Sequence, residues 1–180
     1  GAARPGGNLL AISQVFGHVA GRAAAERAVP MTGVKLDQNQ VDQEKARLES
    51  MIKPAAKEPR EVAAKLKKVM WDKLSCVKNQ AGIEDALRVI ETLRKEEWPQ
   101  VGAKSAVELR KVLELDFMLD TARYVALSSV LRKESRGTFY RNDYPQMNNL
   151  DWRKIIEISQ VDDKLEVSYK LPEKLEDFYL

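Results

Sequence analysis

The sequence is short of the residues from which compact active sites are usually built. Among 180 residues there is one histidine, His18, and one cysteine, Cys76. One of each cannot supply the four nitrogen and sulfur ligands of a zinc site, so no metal centre is expected. A lone cysteine forms no internal disulfide, which favours a reducing compartment such as the cytoplasm. Cys76 itself is expected to be a small apolar core residue. A Ser-His-Asp triad would need His18, which stands among alanines and glycines and reads as a helix-surface or packing residue. Neither a Gly-x-Gly-x-x-Gly fingerprint nor a phosphate-binding Gly-Lys-Ser loop occurs. No apolar run approaches the roughly 20 residues of a membrane span, and no signal peptide is evident. The carboxylate pairs Glu96-Glu97 and Asp162-Asp163 are sequence neighbours and read as solvated. By its residue content the chain does not look like a complete enzyme.

Charge is abundant but balanced. Thirty Lys and Arg face 27 Asp and Glu, a net charge of +3, which neither demands nor excludes an anionic partner. Lys65, Lys67, Lys68 and Lys73 lie mostly off an apolar stripe and read as a solvated face. An RNA-binding helical module is a weak reading, because interleaved aromatics and a strong positive charge are missing. No nucleic-acid partner is expected.

What the sequence does have is helical periodicity. Gly1 to Asn8 is a glycine-rich loop, and Asn8 can cap a helix over Leu9 to Ala28. Gly17, Gly21 and several alanines make one face of that helix small, suited to lying close against another element. Pro30 and Gly33 mark a connector. Asp37 with Gln40 forms a capping box for a helix to Lys53, where Pro54 stops it. Pro59 suits the first turn of a helix reaching Lys78, with Val62, Leu66, Val69, Met70, Leu74 and Val77 on one face. After a turn over Asn79 to Gly82, Ile83, Leu87, Ile90 and Leu93 mark another helix, ended near Trp98-Pro99. Ser105 with Glu108 opens the longest helix, from Ala106 to Glu134. Three long helices with short links predict an antiparallel, spectrin-repeat-like bundle in a mainly α chain. Beyond Pro145, Met147 to Leu150 reads as a turn. The apolar run Trp152 to Gln160 and the alternating Leu165, Val167 and Tyr169 predict a small β-hairpin turning at Val161 to Lys164. An isolated hairpin is marginal, so it must pack on the bundle or on a partner.

The stretch after the longest helix stands out. Gly137 suits a left-handed C-cap, and Arg132, Lys133 and Arg136 suit the negative end of a helix dipole. A dense run of Arg136, Tyr140, Arg141, Asp143 and Tyr144 just beyond it points to docking of a carboxylate, a backbone or another domain.

Glu134-Ser135-Arg136-Gly137 followed by Arg141-Asn142-Asp143-Tyr144-Pro145 resembles the C-terminal helical domain of the succinate dehydrogenase/fumarate reductase flavoproteins, the family that includes L-aspartate oxidase. At the other end, Gly1-Ala2-Ala3-Arg4-Pro5-Gly6-Gly7-Asn8-Leu9-Leu10, then Val15-Phe16-Gly17 and Ala20-Gly21, resembles the segment that closes the family's flavin domain. Met70-Trp71-Asp72 is a third, shorter match. The three stand in the family's order and cover most of the chain. Family members often carry Ser at the Leu9 position, Asn at the Ala3 position and His at the Phe139 position.

The resemblance implies a piece of a longer FAD-dependent oxidoreductase, consistent with an opening in mid-motif and without Met. It implies three regions: 1–36 as the end of the FAD-binding domain, 37–146 as the helical bundle, and 147–180 as hairpin and tail. Arg4 would hold a substrate carboxylate. Asn8, Leu9 and Leu10 would contact FAD, the leucines through their backbone at the isoalloxazine. Arg136, Tyr140, Arg141 and Tyr144 would serve docking. The full-length reaction implied is hydride transfer between a dicarboxylate carbon and flavin N5, with positive groups clamping the carboxylates. Succinate or fumarate, aspartate or another anion are the substrates to consider, and adenylylsulfate reductase is a more distant relative. The implied partners are the upstream FAD-binding domain and an iron–sulfur subunit, with peripheral attachment at the inner face of a membrane through that partner. As a fragment the chain is expected to be inactive and to bind no flavin. The reading from another class is a non-catalytic helical interaction or scaffold module.

Overall fold

The computed structural model describes residues 8–28, 35–161 and 164–172. These divide into two compact units, one ending at Ser50 and the other beginning at Met51. The expected Arg4 and the acidic pair Asp162-Asp163 lie outside the described residues.

The first unit holds α1 (Asn8–Arg27) and α2 (Gln38–Ser50). Every described residue of α1 after Asn8 is exposed, including Leu9, Leu10, Phe16 and His18. A Cβ built on Gly17 or Gly21 would meet no atom within 4 Å. The small face is therefore present and uncovered. Asp37 caps α2 by accepting the Asn39 N–H at 3.0 Å, one residue earlier than the expected capping box places it. The helix ends at Ser50 rather than Lys53, and it buries no side chain.

The second unit is built on α3 (Pro59–Leu74), α4 (Gln80–Thr92) and α5 (Ala106–Leu131). Core positions recur at spacings of three and four: Val62, Leu66 and Val69; Ile83, Ala86, Ile90 and Leu93; Val112, Leu115, Leu119, Ala122 and Ala126. That is the seam of a coiled coil, and it makes each helix bury one narrow stripe against the other two. Ion pairs give the direction of packing. Lys73 meets Asp85 and Lys65 meets Glu97, while Arg94 meets Asp116 and Asp120 and Arg123 meets Glu91. Rising numbers on one helix pair with falling numbers on the next, so both neighbours run antiparallel. The chain is mainly helical with a small hairpin, as the periodicity predicts.

Several local endings differ from expectation. α3 stops at Leu74 rather than Lys78, and Val77–Lys78 becomes β1. Cys76 consequently lies beyond the apolar stripe and is exposed, not buried. Asn79 is a helix cap rather than the start of a longer turn, its side chain accepting the Gly82 N–H at 2.8 Å. α4 continues as a π-turn over Leu93–Glu97 and a 3-10 turn over Trp98–Gln100, where Pro99 removes a donor. Glu97, read as solvated, reaches Lys65 at 2.7 Å and Lys57 at 3.1 Å. The Lys65 hydrogen bond is the main cause that lowers its pKa. Ser105 accepts the Glu108 N–H at 3.3 Å, and Glu108 reaches back to the Lys104 N–H at 2.8 Å, one residue further than a standard capping box. At 1.5 Å per residue α5 is roughly 39 Å long.

After α5 come β2 (Tyr140–Arg141), the short α6 (Asn149–Trp152), β3 (Ile155–Val161) and β4 (Lys164–Lys170). β1 and β2 pair in parallel, Val77 with Tyr140 and Lys78 with Arg141. β3 and β4 form the antiparallel hairpin, from Ile155 opposite Lys170 to Val161 opposite Lys164. The strand starts at Ile155, not Trp152, because Asn148 caps α6 by accepting the Leu150 and Asp151 N–H groups. The hairpin rests on the bundle: Tyr124 on α5 donates to Gln160 at 3.2 Å, and Arg132 donates to the Lys154 carbonyl at 2.8 Å.

Candidate functional site

The segment from Glu134 to Tyr144 is dense in side-chain hydrogen bonds, and its two charged centres are buried. Arg141 is fully buried on β2. Its guanidinium donates to the carbonyls of Ser129, Val130 and Arg132 at 3.1, 3.4 and 3.0 Å. Those carbonyls end α5 and have no partner further along the helix, so a planar cation covers them and the negative end of the dipole together. The same guanidinium makes a bidentate pair with Asp143, at 3.0 and 2.6 Å, and donates to Gln80 Oε1 at 2.7 Å. Asp143 in turn accepts the Gln80 N–H at 2.8 Å, at the positive start of α4. One ion pair thus joins the end of α5 to the start of α4. The Arg141 hydrogen bonds and the Gln80 N–H hold the Asp143 carboxyl at about 2, against an ordinary 3.8. The Tyr144 ring lies 4.7 Å from the Arg141 guanidinium carbon.

Glu134 is the second centre. Its carboxylate has no exposed surface and accepts from Arg132 at 2.7 Å, from Arg136 at 2.8 and 3.1 Å, and from the Asn148 N–H at 2.8 Å. Burial pushes its pKa up, but the bonds from Arg136, Asn148 and Arg132 outweigh burial and leave it below the ordinary range. Ser135 links the two centres, accepting the Arg141 N–H at 2.9 Å and donating to the Tyr144 carbonyl at 2.8 Å. Gly137 does not cap α5, which ended at Leu131. It lies instead at the first corner of a two-residue turn closed by mutual N–H···O bonds between Arg136 and Phe139, with φ of +57°. A left-handed residue at that corner suits glycine.

The four residues expected to dock thus have different surroundings. Arg141 is turned inward and engages this chain's own backbone and Asp143. Arg136 is half-buried and committed to Glu134 and to Asn149 Oδ1 at 2.8 Å. Tyr140 is half-buried on β2, and Tyr144 is exposed over Arg141. Leu9 and Leu10 open α1 with their side chains in solvent, 60% and 69% exposed. Asn8 is its first helical residue. No group of three or more His, Cys, Asp or Glu side chains suited to a metal occurs among the described residues. No described helix is long and apolar enough to cross a membrane.

Two surface features were not foreseen. Leu66, Met70, Trp71, Phe117, Met118 and Ala122 line an apolar groove of about 600 Å³ between α3 and α5. Trp71 and Phe117 stand on it 76% and 62% exposed. The exposed Trp within Met70-Trp71-Asp72 was the available signal. The second is a cleft of about 490 Å³ between the end of α5, the Arg136–Phe139 turn and the start of β3, lined partly by cations.

The fumarate reductase flavoprotein C-term family matches residues 63–177, which span the bundle, the buried ion pairs and the hairpin. The chain belongs to this family. A fumarate reductase (CoM/CoB) subunit of Methanothermobacter marburgensis is 34% identical over 160 residues, which are 87% of this chain and 29% of that protein. The fumarate reductase flavoprotein subunit of Haemophilus influenzae is 34% identical over 163 residues, 86% of this chain and 27% of the relative. Among solved structures, an apo Mycobacterium smegmatis Sdh1 complex superposes with a TM-score of 0.74 at 26% identity, over 89% of this chain and 28% of its own. A quinol-fumarate reductase holding menaquinol reaches a TM-score of 0.77 at 20% identity, over 89% and 30%, a likeness of fold. The chain therefore spans less than a third of the length of these family members.

Proposed function

We propose that this chain is the C-terminal part of an FAD-dependent oxidoreductase acting on a dicarboxylate of the succinate/fumarate type. In this reading 1–36 closes the flavin domain, 37–146 is the bracing helical region and 147–180 adds the hairpin and tail. The observation that carries it is the family match over residues 63–177, in which the Glu134–Tyr144 junction lies. Relatives named as fumarate reductase and succinate dehydrogenase flavoprotein subunits supply the reaction type.

The start of α1 fits a flavin edge. The first N–H groups of a helix have no intrahelical acceptor, and those of Asn8, Leu9 and Leu10 open α1. They can donate to an electronegative ring edge without using a side chain, so leucine suffices at both following positions. FAD, when bound, supplies the two-electron acceptor. Arg4 binds and orients a substrate carboxylate through its planar fork, which a lysine cannot reproduce. The glycines at 6 and 7 leave room for a ligand to approach the backbone. The uncovered small face of α1, with Gly17 and Gly21 open, supports a close fit against the rest of the flavin domain.

The bundle's role is to brace that domain and to present a surface to an iron–sulfur subunit, with peripheral membrane attachment through the partner. The exposed Trp71 and Phe117 groove supports a covered face in the assembled protein. A non-catalytic scaffold is the competing reading. A full-length protein without flavin bands would favour that reading, and Arg4→Lys in the full-length protein tests the role given to Arg4. Folding and flavin absorbance should match wild type, and turnover should fall by orders of magnitude, at about 1.4 kcal/mol per tenfold. Near-normal turnover at matched flavin content removes Arg4 from the site.

A further inference from the structure

We propose that the cleft between the end of α5, the Arg136–Phe139 turn and the start of β3 binds a carboxylate carried on an apolar body. None of its residues is among those the family resemblance assigns to substrate or flavin. Four cations line it: Lys78, Arg132, Arg136 and Lys154. One carboxylate, Glu134, bonds to the two arginines, so cations remain in surplus. The arginines are also held by carbonyls of Trp152 and Lys154 and by Asn149. Neither lysine pairs with a carboxylate among the described residues.

Lys78 is 8% exposed and donates to the Ser75 carbonyl at 2.6 Å. Its Nζ lies 5.1 Å from the Phe139 ring centre, a favourable seat for a cation. An ammonium has three donors, so further donors remain for a ligand. Burial pushes its pKa down from the ordinary range, as expected of an amine that has given up water without gaining a carboxylate. Lys154 Nζ lies 4.6 Å from the Trp152 ring centre and 4.3 Å from that of Tyr169. No carboxylate among the described residues pairs with it. Both lysines line the one cleft and bring it positive charge for an anion. The rest of the wall is Val125, Phe139, Ile155 and Ile156, which favours a ligand with an apolar or aromatic body over a bare inorganic ion.

The test uses the 180-residue chain, isotopically labelled, titrated with benzoate and separately with benzyl alcohol, its neutral counterpart. Benzoate should give saturable amide shifts centred on Arg136, Phe139, Ile155 and Ile156, and benzyl alcohol should give none there. Lys78→Met and Lys154→Met should each weaken benzoate about tenfold, the worth of a hydrogen bond to a charged group. Lys154 is the fallback if the Lys78 variant does not fold. Equal binding of the alcohol, or benzoate shifts that do not saturate, overturns the proposal. So does an unchanged benzoate affinity in a folded Lys154→Met.

Discussion

Arg141→Met is the sharpest probe of how the second unit is held together. Methionine keeps an apolar stem about as long as arginine's as far as Nε and removes the guanidinium. Asp143 then loses its bidentate partner, Gln80 Oε1 loses a donor, and the last carbonyls of α5 lose their cover. Breaking a buried ion pair by removing one partner costs about 3–5 kcal/mol. The Asp143 side chain is 28% exposed and can take up water, so the lower end, about 3 kcal/mol, is expected. For a domain of this size that lowers Tm by roughly 10 °C. Far-ultraviolet circular dichroism during thermal and urea unfolding measures it. The pH dependence gives a second readout. Asp143 is depressed from 3.8 to about 2, so its contribution is fully present above pH 3.8 and is lost as pH falls through about 2. The gap between wild type and Arg141→Met should therefore narrow across that window. A loss below about 1 kcal/mol, the worth of an exposed ion pair, with no narrowing in acid, would refute the junction described above.

Glu134→Gln should cost about 3 kcal/mol, because an amide nitrogen would then face the Arg132 and Arg136 guanidiniums in a buried site; urea unfolding at neutral pH checks it. Gly102→Ala should cost about 1–3 kcal/mol, since its Cβ would stand 2.6 Å from the Lys53 carbonyl oxygen; a Tm equal to wild type would mean that this backbone gives way freely. The 180-residue chain alone should bind no FAD tightly, because it lacks a dinucleotide-binding fingerprint; a fluorescence titration reaching one-to-one saturation would contradict that.

The bundle was legible because its core is local in sequence. Val62, Leu66, Val69, Ile83, Ile90 and Leu93 repeat at the spacing of a helix seam, and each was visible before any fold was known. The caps at Asp37 and Ser105 were also readable, to within a residue. What escaped was fixed by distant partners. Arg141 meets Gln80 across 61 positions, and the β1–β2 pair that this contact accompanies stops α3 early and turns Cys76 outward. The Gly137 turn had the same cause. Periodicity favoured a helix to Glu134, but the carbonyls of Ser129 and Arg132 are claimed by a side chain on β2, and the helix ends at Leu131. The motif reads as a docking cluster in sequence, yet its residue types could not say that Arg141 engages its own chain. The cationic cleft was invisible for the same reason, since Lys78 and Lys154 come to line one cleft only through the fold.

The visible absorption spectrum of the full-length protein, before and after adding succinate, tests the central claim most directly. The account predicts flavin bands that bleach with succinate and return with fumarate. A folded, colourless full-length protein, or flavin bands indifferent to both dicarboxylates, would contradict it.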